Sequence, residues 1–126
     1  MPERKSFLGS IGEILRKDNR YKAEAYAFLM AALNFTMQKL SKPRHVTGQE
    51  LLGGIKDLGL KEFGPMARSV FEHWGIKKTN DFGEMVFNMI DVGLMSKTDK
   101  DSKEDFKCLY DFKEVFDKGY KYVSDG

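Results

Sequence analysis

The chain has one cysteine, Cys108, two histidines, His45 and His73, three prolines and almost no net charge. A single cysteine excludes an internal disulfide framework and fits a reducing cytoplasm. No two of His45, His73 and Cys108 stand at a metal-ligand spacing, so no metal and no cofactor is expected. Asp99-Lys100-Asp101 has the start of a calcium loop, but Lys103 and the missing glycine break that pattern. The 21 basic and 19 acidic residues leave a net charge of +2, too little for bulk attraction to nucleic acid or a membrane. No apolar run approaches the ~20 residues of a membrane helix. Met1-Pro2-Glu3-Arg4-Lys5 is charged but has no apolar stretch of signal-peptide length after it. These absences place the chain in the cytoplasm, with no membrane partner expected.

What is present is aromatic and helical. The 126 residues fit one domain, 1–126, with ten Phe, five Tyr and one Trp to fill its core. Phe7, Ile11, Ile14 and Leu15 predict a short amphipathic helix to about Lys17, broken by Asp18-Asn19-Arg20. From Tyr21 to about Leu40 the chain is Ala-rich. Tyr26, Met30, Leu33, Met37 and Leu40 mark one stripe, and Phe28, Ala31, Ala32 and Phe35 a second. Two apolar faces predict a central helix wrapped on most sides.

After the loop at Pro43, Thr47-Gly48-Gln49-Glu50 has capping-box spacing and opens a helix carrying Leu51, Leu52, Ile55 and Leu58, expected to stop near Gly59. Phe63-Gly64-Pro65 starts the next helix, which Gly75 ends. A third runs from about Asn80 to Val92, capped, with Asp81 and Glu84 in cap and third-turn positions, Phe82, Met85, Val86, Met89 and Ile90 as its buried stripe, and Gly93 as terminator. Leu94–Thr98 and Phe106–Phe112 are expected as antiparallel strands around a charged tip, although Leu109 spoils the alternation of the second. A last short helix, Lys113 to about Tyr122, returns Val115, Phe116 and Tyr120 to the body. The expected fold class is therefore α+β and mostly helical. N-terminal helices over 1–40 form a layer on a winged-helix-like core of three helices plus a β-hairpin over 47–112, followed by a C-terminal helix and tail over 113–126.

At fold level, Gly75-Ile76, Thr79 and the run Val86 to Leu94 resemble the helix-turn-helix and wing of winged-helix regulators, over about half of the chain. The whole chain resembles a bacterial family of conserved hypothetical proteins sometimes called Minf-type. That resemblance is carried by Glu24-Ala25-Tyr26, His45 to Leu52, Phe63 to Ala67, Trp74-Gly75-Ile76, Thr79, Asp81 to Glu84, and Tyr110-Asp111-Phe112. It implies a shape and no chemistry.

Winged helices mostly bind DNA, but a reading helix needs donors for base edges and cations for phosphates. Between Asn80 and Gly93 the charged residues are Asp81, Glu84 and Asp91, with no cation. The expected wing sets Lys97, Lys100, Lys103 and Lys107 against Asp99, Asp101, Glu104, Asp105 and Asp111. Only Lys77 and Lys78 help, so a nucleic-acid partner is disfavoured. An acidic third helix with Asn88 and Asp91 outward and Lys77-Lys78 beside it suits a protein partner better. The expected binding residues are Lys77, Lys78, Asp81, Glu84, Asn88 and Asp91. No catalytic residue is assigned. The remaining enzymatic reading is a small pocket around Glu24, Tyr26 and His45, where a carboxylate in a buried helix would need Arg44, His45 or Arg68 as a partner. A structural tie between helices is the simpler reading of that carboxylate. The functional expectation is a non-catalytic cytoplasmic interaction or adaptor module, ahead of a winged-helix DNA-binding regulator and a small enzyme.

Overall fold

The computed structural model describes residues 7–42, 44, 46–95 and 116. Among the described residues five α-helices follow in order: α1 Phe7–Lys17, α2 Ala23–Gln38, α3 Gly48–Phe63, α4 Ala67–His73 and α5 Thr79–Asp91, with a 3-10 turn Gly64–Met66 leading into α4. No strand occurs among the described residues, which corrects the expected α+β class to an all-helical one. The physical reason is visible at the place where the first strand was to begin. Gly93 sits at φ +82°, its amide bonds to the Ile90 carbonyl, and the Leu94 amide turns back to the Met89 carbonyl at 2.8 Å. This is the 6→1, 5→2 pair of a Schellman motif. It spends the Leu94 amide on closing α5, where a strand would have spent it on a ladder. The rest of the expected hairpin, 96–112, lies outside the described residues.

The same closure ends α4. The Ile76 amide reaches the Phe71 carbonyl at 2.8 Å and the Gly75 amide the Glu72 carbonyl at 3.0 Å. Gly75 has φ +95°, and a Cβ there would stand 2.1 Å from the Arg20 carbonyl oxygen. Glycine is thus required twice, for its backbone region and for the close approach of the α1–α2 loop. At the start of α3 the expected capping box forms: Thr47 Oγ1 accepts from the Glu50 amide at 3.1 Å and Glu50 Oε1 from the Thr47 amide at 3.0 Å. Arg44 grips the same carboxylate through both terminal nitrogens. Held by Arg44 and the Thr47 amide, Glu50 has its pKa lowered to about 2.

α3 does not stop near Gly59 but continues to Phe63. Gly59 is there for packing: a Cβ would lie 3.0 Å from the Phe71 ring and 3.4 Å from that of Phe116. α2 and α3 form the most intimate pair, and α1 packs on both α2 and α5. At their crossing, Gly54 faces Thr36, whose hydroxyl donates to the Ala32 carbonyl at 2.7 Å. α2 buries Ala25, Tyr26, Phe28, Leu29, Ala32 and Thr36, but Ala27 and Ala31 are exposed, so of its expected second stripe Ala31 faces outward and the helix is covered on fewer sides than expected. Toward its C-terminus it emerges, and Met37 is exposed.

The core is centred on rings. Phe71 contacts Phe28, Phe82 and Phe116 with centroids 5.3, 5.6 and 5.1 Å away, and Phe63 and Trp74 close the cluster. The buried stripe of α5 is Phe82, Met85, Val86 and Met89, as its spacing predicts, while Ile90, expected with them, is only partly buried. Of the C-terminal helix expected over 113–122 only Phe116 is described, in a π-helical turn and fully buried.

Candidate functional site: the junction of the α1–α2 loop and α5

The densest polar cluster joins the loop after α1 to the outer face of α5. Asp18, three residues before Tyr21, leaves α1 with its carboxylate turned toward α5. Its Oδ1 accepts from the backbone N–H of Arg20 at 3.1 Å and from Arg20 Nε at 2.9 Å. Its Oδ2 accepts from Arg20 Nη2 at 2.7 Å and from Asn88 Nδ2 at 2.9 Å. The second Asn88 amide hydrogen goes to the Tyr26 hydroxyl oxygen at 3.1 Å. Arg20 extends to Glu84 Oε1 at 3.2 Å and lies over the Tyr21 ring, 5.1 Å from its centroid.

α5 returns the exchange. Tyr21 donates its hydroxyl to Asp81 Oδ1 at 2.7 Å, while Asp81 Oδ2 accepts the Lys77 and Lys78 amides at 2.8 and 3.2 Å. Lys78 is the N-cap residue and Asp81 the third helical position, so Asp81 caps α5 by reaching backward rather than by standing at the cap itself. Each side therefore supplies one aspartate that the other side's donor holds. A backbone bond from the Lys22 amide to the Trp74 carbonyl, 3.1 Å, runs alongside.

The electrostatics follow from these contacts. The Arg20 guanidinium holds the Asp18 carboxyl far below the usual carboxylate range, against a smaller opposing effect of burial. Asp18 in turn raises the pKa of Arg20. Burial pushes the Tyr21 phenol far up, and its hydrogen bond to Asp81 adds to this. Burial likewise raises the pKa of Tyr26. Asp18 accepts four hydrogen bonds, one for each lone-pair site of a carboxylate, which leaves none to take a proton from a substrate. The arrangement fastens two segments.

The residues expected to bind a partner are distributed differently from the sequence reading. Asp81, Glu84 and Asn88 are partly buried and turned into the junction, whereas Lys77, Lys78 and Asp91 are exposed. The surface expected along α5 is thus divided, and its central polar residues face the protein's own loop. The expected pocket is not assembled either. Glu24 is exposed on the first turn of α2 and Tyr26 is fully buried, since two residues apart on a helix point to nearly opposite sides. His45 lies outside the described residues. Arg68 pairs with Glu72 at 3.3 Å. No group of three or more His, Cys, Asp or Glu side chains converges on a common point among the described residues. No described helix is long and apolar enough to cross a membrane.

Asp18, Arg20 and Tyr21 carry this junction, and in the sequence the first two stand out only as part of a helix break. No local pattern could have identified them, because Asp18 and Asn88 are 70 residues apart. Comparison with protein-family models, with curated proteins and with solved structures found no match.

A second polar surface lies at the other end of α2. Asn34, Met37, Gln38, Leu40 and Arg44 line an open groove of about 430 Å³. Beside it Phe35 is covered by the Lys39 ammonium, 4.3 Å from the ring centroid, and Lys39 also pairs with Asp57 at 3.2 Å.

Proposed function

We propose that this chain is a non-catalytic protein-interaction module. The observation that carries the reading is the closure of the α1–α2/α5 junction. The carboxylates that stand at a structurally organised site there have their acceptors occupied by donors of the same chain. General acid–base work needs a group that still has hydrogen-bonding capacity toward a substrate. Among its exposed side chains are three large apolar ones, Leu8, Met37 and Met66, at 76%, 44% and 58% exposure. A DNA reading through α5 is less well supported, because α5 carries no cation and the amide of Asn88, a group suited to a base edge, is bonded to Asp18 and Tyr26.

The reading is tested by placing a photo-activatable cross-linking residue, one position at a time, at Leu8, Met37, Met66 and Asp91 in the cells that make the protein. One discrete protein adduct, confined to a contiguous part of the surface, is the expected result. Adducts at none of these positions, together with a small metabolite that raises the melting temperature by several degrees, would overturn it.

A further inference from the structure

α1 and the residues just after it are joined to the rest of the protein in a way that lets them leave without dismantling it. We propose that residues 7–20 form a strap, which releases and unwinds as one unit while α2 to α5 stay folded. Release bares the apolar face of Ile11 and Ile14 and the part of α2 and α5 that α1 covers.

Three observations combine. The first is packing. α1 has 11 residues and buries Ser10, Ile11 and Ile14, while Phe7 and Leu15 are half-buried and Leu8 is exposed. Two isoleucines are thus its large buried side chains, where α3 buries Leu51, Leu52, Ile55 and Leu58. Segments that bury little apolar surface open at lower free energy than the core. The second is intrinsic helicity. A helix shorter than about 12–15 residues is marginal in water without its packing, and α1 also contains Gly9 and Gly12. Each interior glycine lowers the helix equilibrium about fivefold against alanine. Packing does not demand the glycine at position 12, since a Cβ there would meet Arg16 Nη1 at 3.8 Å, an ordinary contact with the end of a flexible side chain. A released α1 therefore unwinds. The third is the way the polar bonds divide. Asp18 and Arg20 hold each other through three hydrogen bonds and leave together. Asp81 keeps the Lys77 and Lys78 amides, and Asn88 keeps the Tyr26 hydroxyl. Tyr21 and Lys22 still fasten the start of α2, to Asp81 and to the Trp74 carbonyl. Release breaks the bonds from Asn88 to Asp18 and from Arg20 to Glu84, and water takes over at the freed charges.

The test is amide hydrogen exchange of the full-length chain, followed by NMR at several urea concentrations below the unfolding transition, where exchange reports the opening equilibrium. Amides 11–17 should share one opening constant, at least tenfold larger than that of amides 29–33 in α2, and depend only weakly on urea. Gly12→Ala should slow the exchange of 11–17 about fivefold. Gly54→Ala loosens the contact between α2 and α3, which is present whether the strap is closed or open. It should speed amides 29–33 severalfold and leave 11–17 unchanged. If Gly54→Ala does not fold, the wild-type rates and their urea dependence decide alone. Equal opening constants for 11–17 and 29–33 with the same steep urea dependence would overturn the strap, because α1 would then open only with the whole protein. Protection that falls off residue by residue from the ends of α1 would overturn it too, as ordinary fraying, and so would equal acceleration of both sets by Gly54→Ala.

Discussion

Gly53 and Gly54 are adjacent in α3, and replacing each by alanine should have opposite effects. A Cβ at Gly54 would lie 1.8 Å from Thr36 Oγ1 and 3.1 Å from Thr36 Cβ, between two helices that cannot separate cheaply. Overpacking of this kind costs about 1–3 kcal/mol, more than the ~1 kcal/mol that alanine contributes to a helix interior. A Cβ at Gly53 meets nothing within 4 Å. Gly53→Ala should therefore stabilise by about 0.5–1 kcal/mol, while Gly54→Ala destabilises, both read in urea melts. Removing the hydroxyl in a Thr36→Ala background should relieve much of the Gly54→Ala loss. Equal effects at the two glycines would show that α2 and α3 are not in the contact described.

At the scale of elements, the α1–α2 loop is held to α5 by residues whose removal strands a buried group. Asn88→Ala deletes the donor to Asp18 and to the hydroxyl of Tyr26, a residue with no exposure. An unsatisfied buried polar group costs about 1–3 kcal/mol. Asn88→Ala should lose about that much, and the loss should shrink in a Tyr26→Phe background, where no hydroxyl remains to be stranded. Acid titration gives a second handle. The folded-state pKa of Asp18 lies below its unfolded value, so its contribution is full above the unfolded pKa and is lost as pH falls below about 5. Glu50, lowered to about 2, acts in the same direction. Asp18→Asn should therefore be less stable than wild type at pH 7, with a shallower decline of stability between pH 5 and the acid transition. Parallel declines for the two proteins would show that Asp18 is not paired in the folded state.

These elements also mark the boundary of what the sequence discloses. Signals read within a few residues served well: the Thr47–Glu50 box, the terminators Gly75 and Gly93, and the 3.6-residue stripe of Phe82, Met85, Val86 and Met89 are all in place. Where a residue type serves two purposes, local reading failed. Gly59 was expected to end α3, yet it makes room for the Phe71 ring. Gly93-Leu94 fits a helix closure and a strand start equally well, and the expected wing rested on the second. Asp81, expected as a cap and as part of an outward surface, caps by reaching back and meets Tyr21, 60 residues earlier. Partners at that separation are chosen by packing, and spacing along the chain carries no trace of them.

For the whole molecule, Phe116 is the decisive side chain. It is fully buried from a position far down the chain, its ring is 5.1 Å from that of Phe71, and it fills the space left open by Gly59. Phe71 is at the same time the ring against which Phe28 of α2 and Phe82 of α5 pack. Removing Phe116 therefore opens the centre of the core, not its edge. Phe116→Ala should cost about 3–5 kcal/mol as a core truncation with a residual cavity, a large part of the 5–15 kcal/mol that stabilises a domain of ordinary stability. Leu8→Ala, at a side chain 76% exposed, serves as the comparison and should stay within about 0.5 kcal/mol. Ending the chain after Met95 removes Phe116 with everything beyond it and should lose at least as much, with dye binding to newly exposed apolar surface. The measurement is a denaturant series on all three variants with wild type. A loss below about 1 kcal/mol for Phe116→Ala, far under the range for an aromatic core truncation, would mean that the helical body closes its core without the C-terminal segment.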